Sequence, residues 1–177
     1  MKIFITGKPG TGKTTLVLKI AEELKKKGLK VGGFFTQDIR VNQERKGFKI
    51  KNFETGEEGI LAHVNQPQGP QVSKYRVNIH DLEEIGVKAV ESAVAKDWIV
   101  VDEIGKMELQ STYFEETIKR LVDSNKNILA TVHWSYEHPL ILKIKKDYNV
   151  YFLSKVNSSG MFKEILKQVN SACYGKR

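Results

Sequence analysis

The residues best suited to chemistry lie in a glycine-rich segment near the start of the chain, residues 7–14. The segment reads GKPGTGKT and fills every fixed position of the pattern G-x-x-x-x-G-K-[ST]. Glycines lack a Cβ, so the backbone can wrap closely around an anion while successive amide groups point at its oxygens. The lysine of this pattern reaches the β- and γ-phosphates of a nucleotide, and the hydroxyl group after it binds Mg²⁺. The spacing therefore predicts a site for a triphosphate and its magnesium ion.

The surroundings of the segment support this prediction. A short apolar run, residues 2–6, precedes it, and residues 15–24 carry apolar side chains at helical spacing. A loop between a strand and a helix gains the positive end of the helix dipole. We expect Lys13 to be catalytic as well as phosphate-binding, and Thr14 to be a metal ligand. The predicted nucleotide contacts are Gly7, Lys8, Pro9, Gly10, Thr11, Gly12, Lys13, Thr14 and Thr15.

Two acids at the end of a distant apolar run form the second chemical group. Residues 98–101 read WIVV and are followed directly by Asp102 and Glu103. In a protein with a phosphate-binding loop, an aspartate at such a strand end takes part in the magnesium shell. Asp102 is therefore predicted to hold Mg²⁺ through water, together with Thr14. Glu103 is then the natural general base for a water molecule aimed at the γ-phosphate.

The residues after these acids extend the predicted site. Asp102 and Gly105 match the D-x-x-G pattern of GTPase switch regions, so Gly105 is predicted to contact nucleotide. Lys106 is placed to bring a positive charge to a phosphate as a catalytic residue, and Glu108 to orient it. A surface ion pair between Lys106 and Glu108 explains the same two residues equally well.

Other strand ends supply further candidates. Thr131 and His133 lie at the end of the apolar run 127–132 and are candidates for contact with the γ-phosphate. A metal site formed by His133 and His138 is rejected, because no cysteine or acid cluster completes it. Thr36, Asp38 and Arg40, at the end of the apolar run 31–36, are candidate polar site residues. Residues 154–157, after the apolar run 150–153, are a candidate contact to the base.

The elements that must position these groups follow from periodicity. Apolar runs predict strands near residues 2–6, 31–36, 98–102, 127–132 and 150–153. Apolar residues at helical spacing predict helices over residues 15–24, 81–96, 111–125, 135–146 and 158–173. Gly28 is expected to follow the end of the first helix, and Ser111 and Asn157 to cap the third and the fifth. The second helix has a predicted inner stripe of Leu82, Ile85, Val90 and Val94. This alternation predicts an α/β fold with a three-layer, mostly parallel, doubly wound central sheet.

The alternation of predicted strands and helices is interrupted between residues 41 and 78. Polar and apolar residues alternate over 46–53, residues 54–56 read as a turn, and residues 57–64 return as a second strand. This pattern predicts an inserted antiparallel β-hairpin, and residues 72–77 predict one more strand. Positive charge concentrates around this insertion, at Arg40, Arg45, Lys46 and Arg76. The insertion either closes over a nucleotide as a lid or extends the sheet. We expect residues 1–177 to form a single domain that carries this insertion at about 41–78.

Composition limits the partners and the compartment. The net charge of +8 permits RNA or DNA as a partner but does not favour it, because many lysines lie at predicted helix ends. The single cysteine, Cys173, rules out an internal disulfide and fits a reducing compartment. No apolar run approaches the length of a membrane span, and the chain opens directly in a strand. We expect a cytoplasmic monomer without membrane association.

Five segments carry a resemblance to a known family. They are residues 6–15, 33–40, 46–48, 75–77 and above all 100–109, VVDEIGKMEL. Together they resemble the nucleoside-triphosphatases of thermophilic bacteria and archaea, whose human member is called cancer-related nucleoside triphosphatase. The resemblance implies a RecA-like P-loop fold. It also implies slow, Mg²⁺-dependent hydrolysis of ATP, GTP, CTP, UTP and TTP with little base selectivity. Family members commonly have glutamate where this chain has Asp38.

Two other function classes stay open. A nucleotide or small-molecule kinase uses the same loop with an acceptor pocket and an arginine-rich lid, for which Arg40, Arg45 and Arg76 are available. A nucleotide-switched module that binds RNA or protein is favoured by the D-x-x-G match. No guanine-reading N-K-x-D sequence follows residues 127–132, however.

Overall fold

The computed structural model describes residues 1–174, and the side chains up to Ser171. Its strands are β1 Lys2–Thr6, β2 Val31–Val41, β3 Glu44–Asn52, β4 Glu58–His63, β5 Gln71–Val72, β6 Tyr75–Val77, β7 Trp98–Ile104, β8 Asn127–Val132 and β9 Val150–Phe152. Its helices are α1 Lys13–Lys26, α2 from Ile79 to Ala95, α3 Thr112–Asp123, α4 Pro139–Asp147 and α5 Ser158–Tyr174, with a 3₁₀ turn at Glu108–Gln110.

All nine strands join one sheet, in the order β5-β6-β4-β3-β2-β7-β8-β1-β9. The five strands β2, β7, β8, β1 and β9 run parallel to one another. The strands β3, β4, β6 and β5 continue the sheet beyond β2 in antiparallel pairs. The predicted α/β fold is confirmed, and the predicted hairpin is the β3–β4 pair. The insertion extends the sheet, which was one of the two arrangements left open.

Helices cover both faces of the parallel strands, because successive side chains on a strand point to opposite faces. Phe4 of β1 packs in a cluster with α2, α3 and α4, which contribute Leu82, Phe114 and Ile141. The neighbouring residues Ile3 and Ile5 pack in a second cluster with apolar side chains of α1 and α5. The three-layer arrangement follows from this alternation.

The termini of two helices form as the sequence predicts. Gly28 has φ +78° and its amide donates to the Lys25 carbonyl at 2.9 Å, while the Leu29 amide donates to the Leu24 carbonyl at 3.2 Å. This pair of bonds is a Schellman motif, which ends α1 at a glycine. Ser111 caps α3, because its hydroxyl accepts a hydrogen bond from the Phe114 amide at 3.0 Å.

Helix α2 departs from the predicted pattern. It contains a π-helical stretch, Leu82–Val87, between the α-helical segments Ile79–Asp81 and Lys88–Ser92, and ends as a 3₁₀ turn, Ala93–Ala95. A π turn holds more residues than an α turn, so the inner stripe shifts along the sequence. Val94, predicted to face the core, is 44% exposed, and Ala93 is buried instead.

Several predicted strand and helix bounds are wrong. Strand β2 continues past residue 36 to Val41, because its second half pairs with β3. The single strand predicted over 72–77 is two short strands with a turn at Ser73 and Lys74.

Helix α4 begins at Pro139 rather than 135, and His138 caps it. The Asn157 carbonyl accepts the Met161 amide at 2.9 Å where α5 begins, and the Asn157 side-chain oxygen accepts the Ser154 amide at 2.8 Å. The side chain of Cys173, the single cysteine, lies outside the described side chains. Within the described part of the chain, no helix has the length and apolarity needed to cross a membrane.

Candidate active site

The loop between β1 and α1 takes a conformation that needs glycine. Gly10 and Gly12 have φ of +76° and +90°, a region that side chains other than glycine rarely adopt. A Cβ on Gly7 would lie 2.4 Å from the Leu153 carbonyl oxygen, so the loop passes β9 closely. The Thr11 hydroxyl donates to the Lys8 carbonyl at 2.9 Å and tightens the turn. Helix α1 then starts at Lys13, as the predicted anion site requires.

Lys13 joins this loop to the acids on β7. Its Nζ donates to the Gly7 carbonyl at 3.0 Å and lies 3.9 Å from Oε2 of Glu103. The side chain is only 12% exposed, so this charge is poorly screened by water. The fold thus brings together two predicted catalytic residues that lie ninety positions apart in the sequence.

Asp102 is buried and held by three neighbouring groups. Its Oδ1 accepts the Thr131 hydroxyl at 2.6 Å, and its Oδ2 accepts the Thr36 amide at 3.5 Å. The neighbouring Thr14 hydroxyl also lowers the pKa of this carboxylate. Burial raises the pKa of Asp102, and these three polar groups together with the Lys13 charge oppose the rise. Thr14 and Asp102, the predicted metal ligands, therefore lie close to each other.

Glu103 has a titration range shifted towards neutral pH. Burial raises its pKa to about 7; the Lys13 charge lowers the pKa and the Asp102 charge raises it. Its side chain keeps about a quarter of its surface exposed, facing the cleft described below. A Cβ on Gly105 would lie 2.7 Å from Oε1 of Glu103, so Gly105 leaves room for this carboxylate.

Glu108 lies where the sequence did not predict it. It is buried, with 5% exposure, on the 3₁₀ turn after β7. Burial and the nearby Glu103 raise its pKa well above the usual range, while the amides of Gly105 and Glu108 itself oppose the rise. Lys106 points away from it, with Nζ 5.2 Å from the centre of the Tyr136 ring. The predicted surface ion pair between Lys106 and Glu108 is absent from the ion pairs of the described residues, and Glu108 does not orient Lys106.

His133 and Thr131 have different roles in the structure. Thr131 is fully buried and serves Asp102, whereas His133 lines the cleft. Nδ1 of His133 accepts the Tyr136 amide at 3.0 Å, so the neutral ring carries its hydrogen on Nε2. Burial, followed by the charges of Lys13 and other lysines, lowers the pKa of His133. The ring is therefore a neutral donor at the end of β8.

These groups face a cleft of about 880 Å³. It contains most of the predicted site residues and several that the sequence did not indicate. The predicted residues that line it are Gly7, Pro9, Gly10, Gly12, Lys13, Thr14, Thr15, Thr36, Asp38, Asp102, Glu103, Lys106 and His133. Lys8, Thr11 and Gly105 are not part of this lining, although Nζ of Lys8 lies 5.8 Å from the Trp134 ring at its edge.

The insertion forms the other end of the cleft. We call the group of Arg45, Phe48, Leu61, Val72, Ser73 and Tyr75 the insertion compartment. The sequence predicts strands over most of these residues but not that the residues face a ligand site.

The predicted basic residues of the insertion do not converge on the cleft. Of the three arginines, Arg45 lines it. Arg40 and Arg45 both bind the Asp38 carboxylate, at 2.7 and 2.9 Å, and Arg76 donates to the Gly69 carbonyl at 3.2 Å. Asp38 therefore pairs with two arginines at the rim of the cleft. Of the three arginines that could form the arginine-rich lid of a kinase, Arg45 alone lines the cleft.

An amide-lined loop before a helix, with its lysine and threonine directed at two acids on a parallel strand, is the arrangement of nucleotide-hydrolysing α/β proteins. Comparison with known sequences gives the same class. The model of the NTPase family matches residues 2–166, and the chain belongs to this family. Its curated relatives are named as nucleoside-triphosphatases, consistent with an enzyme that hydrolyses nucleoside triphosphates.

Relatives and solved structures agree over nearly the whole chain. A nucleoside-triphosphatase THEP1 from Thermotoga maritima is 46% identical over 169 residues, 94% of each chain, and one from Methanosarcina acetivorans is 45% identical over 158 residues, 89% of this chain and 90% of the relative. The crystal structure of THEP1 from Aquifex aeolicus is similar with a TM-score of 0.85 and 35% identity, over 95% of this chain and 98% of that one. The solution structure of a human cancer-related nucleoside triphosphatase is similar with a TM-score of 0.79 and 30% identity, over 99% and 98%.

Proposed function

We propose that this chain hydrolyses nucleoside triphosphates to diphosphate and phosphate with the help of Mg²⁺, using Glu103 to orient and deprotonate the attacking water. The observation that carries this proposal is the 3.9 Å approach of Lys13 to Glu103. A lysine that binds the γ-phosphate and a carboxylate beside it must share one reaction centre. The pKa of about 7 for Glu103 suits a group that takes up a proton near neutral pH.

The residues beside the loop fit a magnesium ion. Thr14 and Asp102 offer oxygen donors, which Mg²⁺ prefers. Burial alone raises the pKa of Asp102, and a nearby cation offsets that cost. When bound, the ion neutralises charge on the β- and γ-phosphate oxygens.

The remaining cationic and donor groups complete the proposed mechanism. Lys13 neutralises charge that develops on the transferring phosphoryl group. His133 faces the same cleft with a hydrogen on Nε2, which suits contact with the γ-phosphate. Lys106 or Arg45, both of which line the cleft, supplies the last positive charge.

Two structural features support the finer predictions. The parallel strands follow the order β2-β7-β8-β1-β9. Strand β8 therefore separates β1, which leads into the phosphate loop, from β7, which carries the two acids. This order supports a RecA-like P-loop domain formed by the whole chain. Residues 154–157, the predicted base contact, are not part of the cleft lining, which supports weak base selectivity. Slow turnover stays a prediction from the family resemblance. The cytoplasmic location and the monomeric state stay predictions from the sequence, which permits an RNA or DNA partner but does not favour one.

Phosphate release tests the proposal. We expect release from ATP, GTP, CTP, UTP and TTP with Mg²⁺ and none with a chelator present. Glu103→Gln removes the base but keeps the loop, so nucleotide binding should persist while turnover falls by about 10²-fold or more. Glu116→Gln, an exposed glutamate on α3, is the matched control. Unchanged turnover in Glu103→Gln refutes the assignment of the base.

A further inference from the structure

The insertion compartment is an unassigned ligand site. Triphosphate binding and water attack need amides, cations and acids, most of which lie at the loop end of the cleft. The compartment instead presents aliphatic and aromatic side chains with a few polar groups, which is the usual lining of a small-molecule site. The cleft volume of about 880 Å³ covers both ends and lies within the ~300–1,000 Å³ range of small-ligand pockets.

The wall of the compartment suits a planar ring. Phe48 and Tyr75 meet edge to face, with their ring centres 5.2 Å apart, and Tyr75 is only 8% exposed. Cζ of Arg45 lies 5.4 Å from the centre of the Phe48 ring, and Leu61 is buried at 1% exposure. Aromatic rings fixed in this way present faces and edges against which another ring packs.

Arg45 also offers a free hydrogen-bond donor. Its Nη2 pairs with Asp38 at 2.9 Å, but its Nε is buried without a hydrogen-bond partner. A buried donor without a partner is costly, and a ligand that accepts from it removes that cost. Ser73, on the two-residue turn between β5 and β6, lines the same space and offers a hydroxyl group.

The order of strands places the compartment beyond the acids of β7, as seen from the phosphate loop. Along the carboxyl edge of the sheet the features follow in the order of the β9 loop, the phosphate loop after β1, His133 after β8, the acids of β7, and then β2 and the insertion. Glu103 therefore stands between the phosphate loop and the compartment. In-line transfer requires a nucleophile opposite to the leaving diphosphate, and the carboxylate that would activate this nucleophile adjoins the compartment.

We propose that the insertion compartment binds a small planar molecule that carries a hydroxyl group, and that the protein transfers the γ-phosphoryl group of its nucleotide to that hydroxyl. This inference rests on the triphosphate site of the proposed function. A ring atom that accepts a hydrogen bond meets Nε of Arg45, while the hydroxyl faces Glu103. The ring itself packs against Phe48 and Tyr75.

The reaction balances without any further reagent. The hydroxyl oxygen forms a bond to the γ-phosphorus while the bond from that phosphorus to the β–γ bridging oxygen breaks. The bonding pair leaves with the nucleoside diphosphate, and the hydroxyl proton passes to the Glu103 carboxylate. When the compartment holds only water, water attacks in the same way and the result is hydrolysis.

Transfer is measured with 3-hydroxymethylpyridine as the probe, beside benzyl alcohol, which lacks the ring nitrogen, and uridine as a larger ring compound. With ATP and millimolar probe we expect more ADP than inorganic phosphate, and a phosphorylated probe by mass spectrometry. Benzyl alcohol should give at least tenfold less product than 3-hydroxymethylpyridine. Equal amounts of ADP and phosphate with every probe overturn the transfer step.

Variants locate the acceptor. Phe48→Ala and Arg45→Ala should each lower the ratio of transferred to released phosphate by tenfold or more. Arg40→Ala is the matched control, because Arg40 shares the Asp38 partner but does not line the cleft. An equal ratio in Phe48→Ala and the wild type places the acceptor elsewhere and overturns the assignment.

A second measurement separates an acceptor from a nucleobase. If the compartment held the base, Phe48→Ala would weaken binding of ATP and leave binding of inorganic tripolyphosphate unchanged, which overturns the proposal. We expect instead that both ligands change by the same factor. The two proposals also fail separately: transfer without hydrolysis contradicts only the hydrolase proposal, whereas hydrolysis without transfer contradicts only this inference.

Discussion

At the loop end of the cleft the ligand-facing groups are backbone amides, Lys13 and the two acids of β7, whereas at the insertion end they are aromatic and aliphatic side chains with one arginine. The loop end depends on charge in a poorly hydrated place, where a single group has large effects. The insertion end depends on shape and contact area, where effects are spread over several side chains. The loop end is thus a site for the triphosphate, which all the nucleotides share. The insertion end is a site that selects the acceptor molecule that reacts with the triphosphate.

The largest effect should come from Lys13→Ala. Loss of the cation removes the bond to Gly7 and the charge that lowers the pKa of Glu103. We expect triphosphate affinity and turnover to fall by about 10²–10³-fold. Isothermal titration and phosphate release measure the two losses, with exposed Lys19→Ala on α1 as the control. Retained affinity would show that the amides alone hold the triphosphate and would weaken the contrast between the ends.

A smaller effect is expected at Thr131→Val. The substitution deletes the 2.6 Å hydrogen bond to Asp102, so the pKa of Asp102 should rise further and the carboxylate should bind a cation less well. We expect the Mg²⁺ concentration for half-maximal turnover to increase about tenfold. Thr117→Val, at a buried threonine of α3 outside the cleft lining, should leave it unchanged. An unchanged Mg²⁺ requirement in Thr131→Val would contradict the metal role of Asp102.

The smallest effect concerns stability and Glu108. Its pKa is higher in the folded chain than the ordinary value of 4.5, so the unfolded chain loses its proton first as pH rises. The free energy of unfolding should therefore decrease above about pH 4.5, by an amount that Glu108→Gln abolishes. Denaturant titrations from pH 4.5 to 8 should show the variant gaining stability relative to the wild type. Parallel curves for the two proteins would contradict the burial of a titrating group there, and exposed Glu116→Gln provides the baseline.

The loop end was largely predictable from the sequence and the insertion end was not. The phosphate loop is a contiguous pattern of glycines, lysine and threonine, and the acids follow a fully apolar strand, so local signals suffice. The burial of Glu108 and the exposure of Val94 depend on a 3₁₀ turn and a π turn, which have no simple periodic signature. The compartment depends on contacts between strands far apart in sequence, such as Phe48 against Tyr75.

Strand β2 belongs to both ends of the cleft. Its first half pairs in parallel with β7 and its second half pairs with β3, without interruption between them. At Gly33 an added Cβ would lie 2.0 Å from the Val100 carbonyl oxygen, so the two strands are locked closely side by side. The continuous strand β2 thus connects the insertion to β7, with no hinge between them. Substitutions along β3 and β6 should therefore change which acceptor molecule binds in the compartment. The distance from the bound acceptor to the reacting phosphate should stay the same.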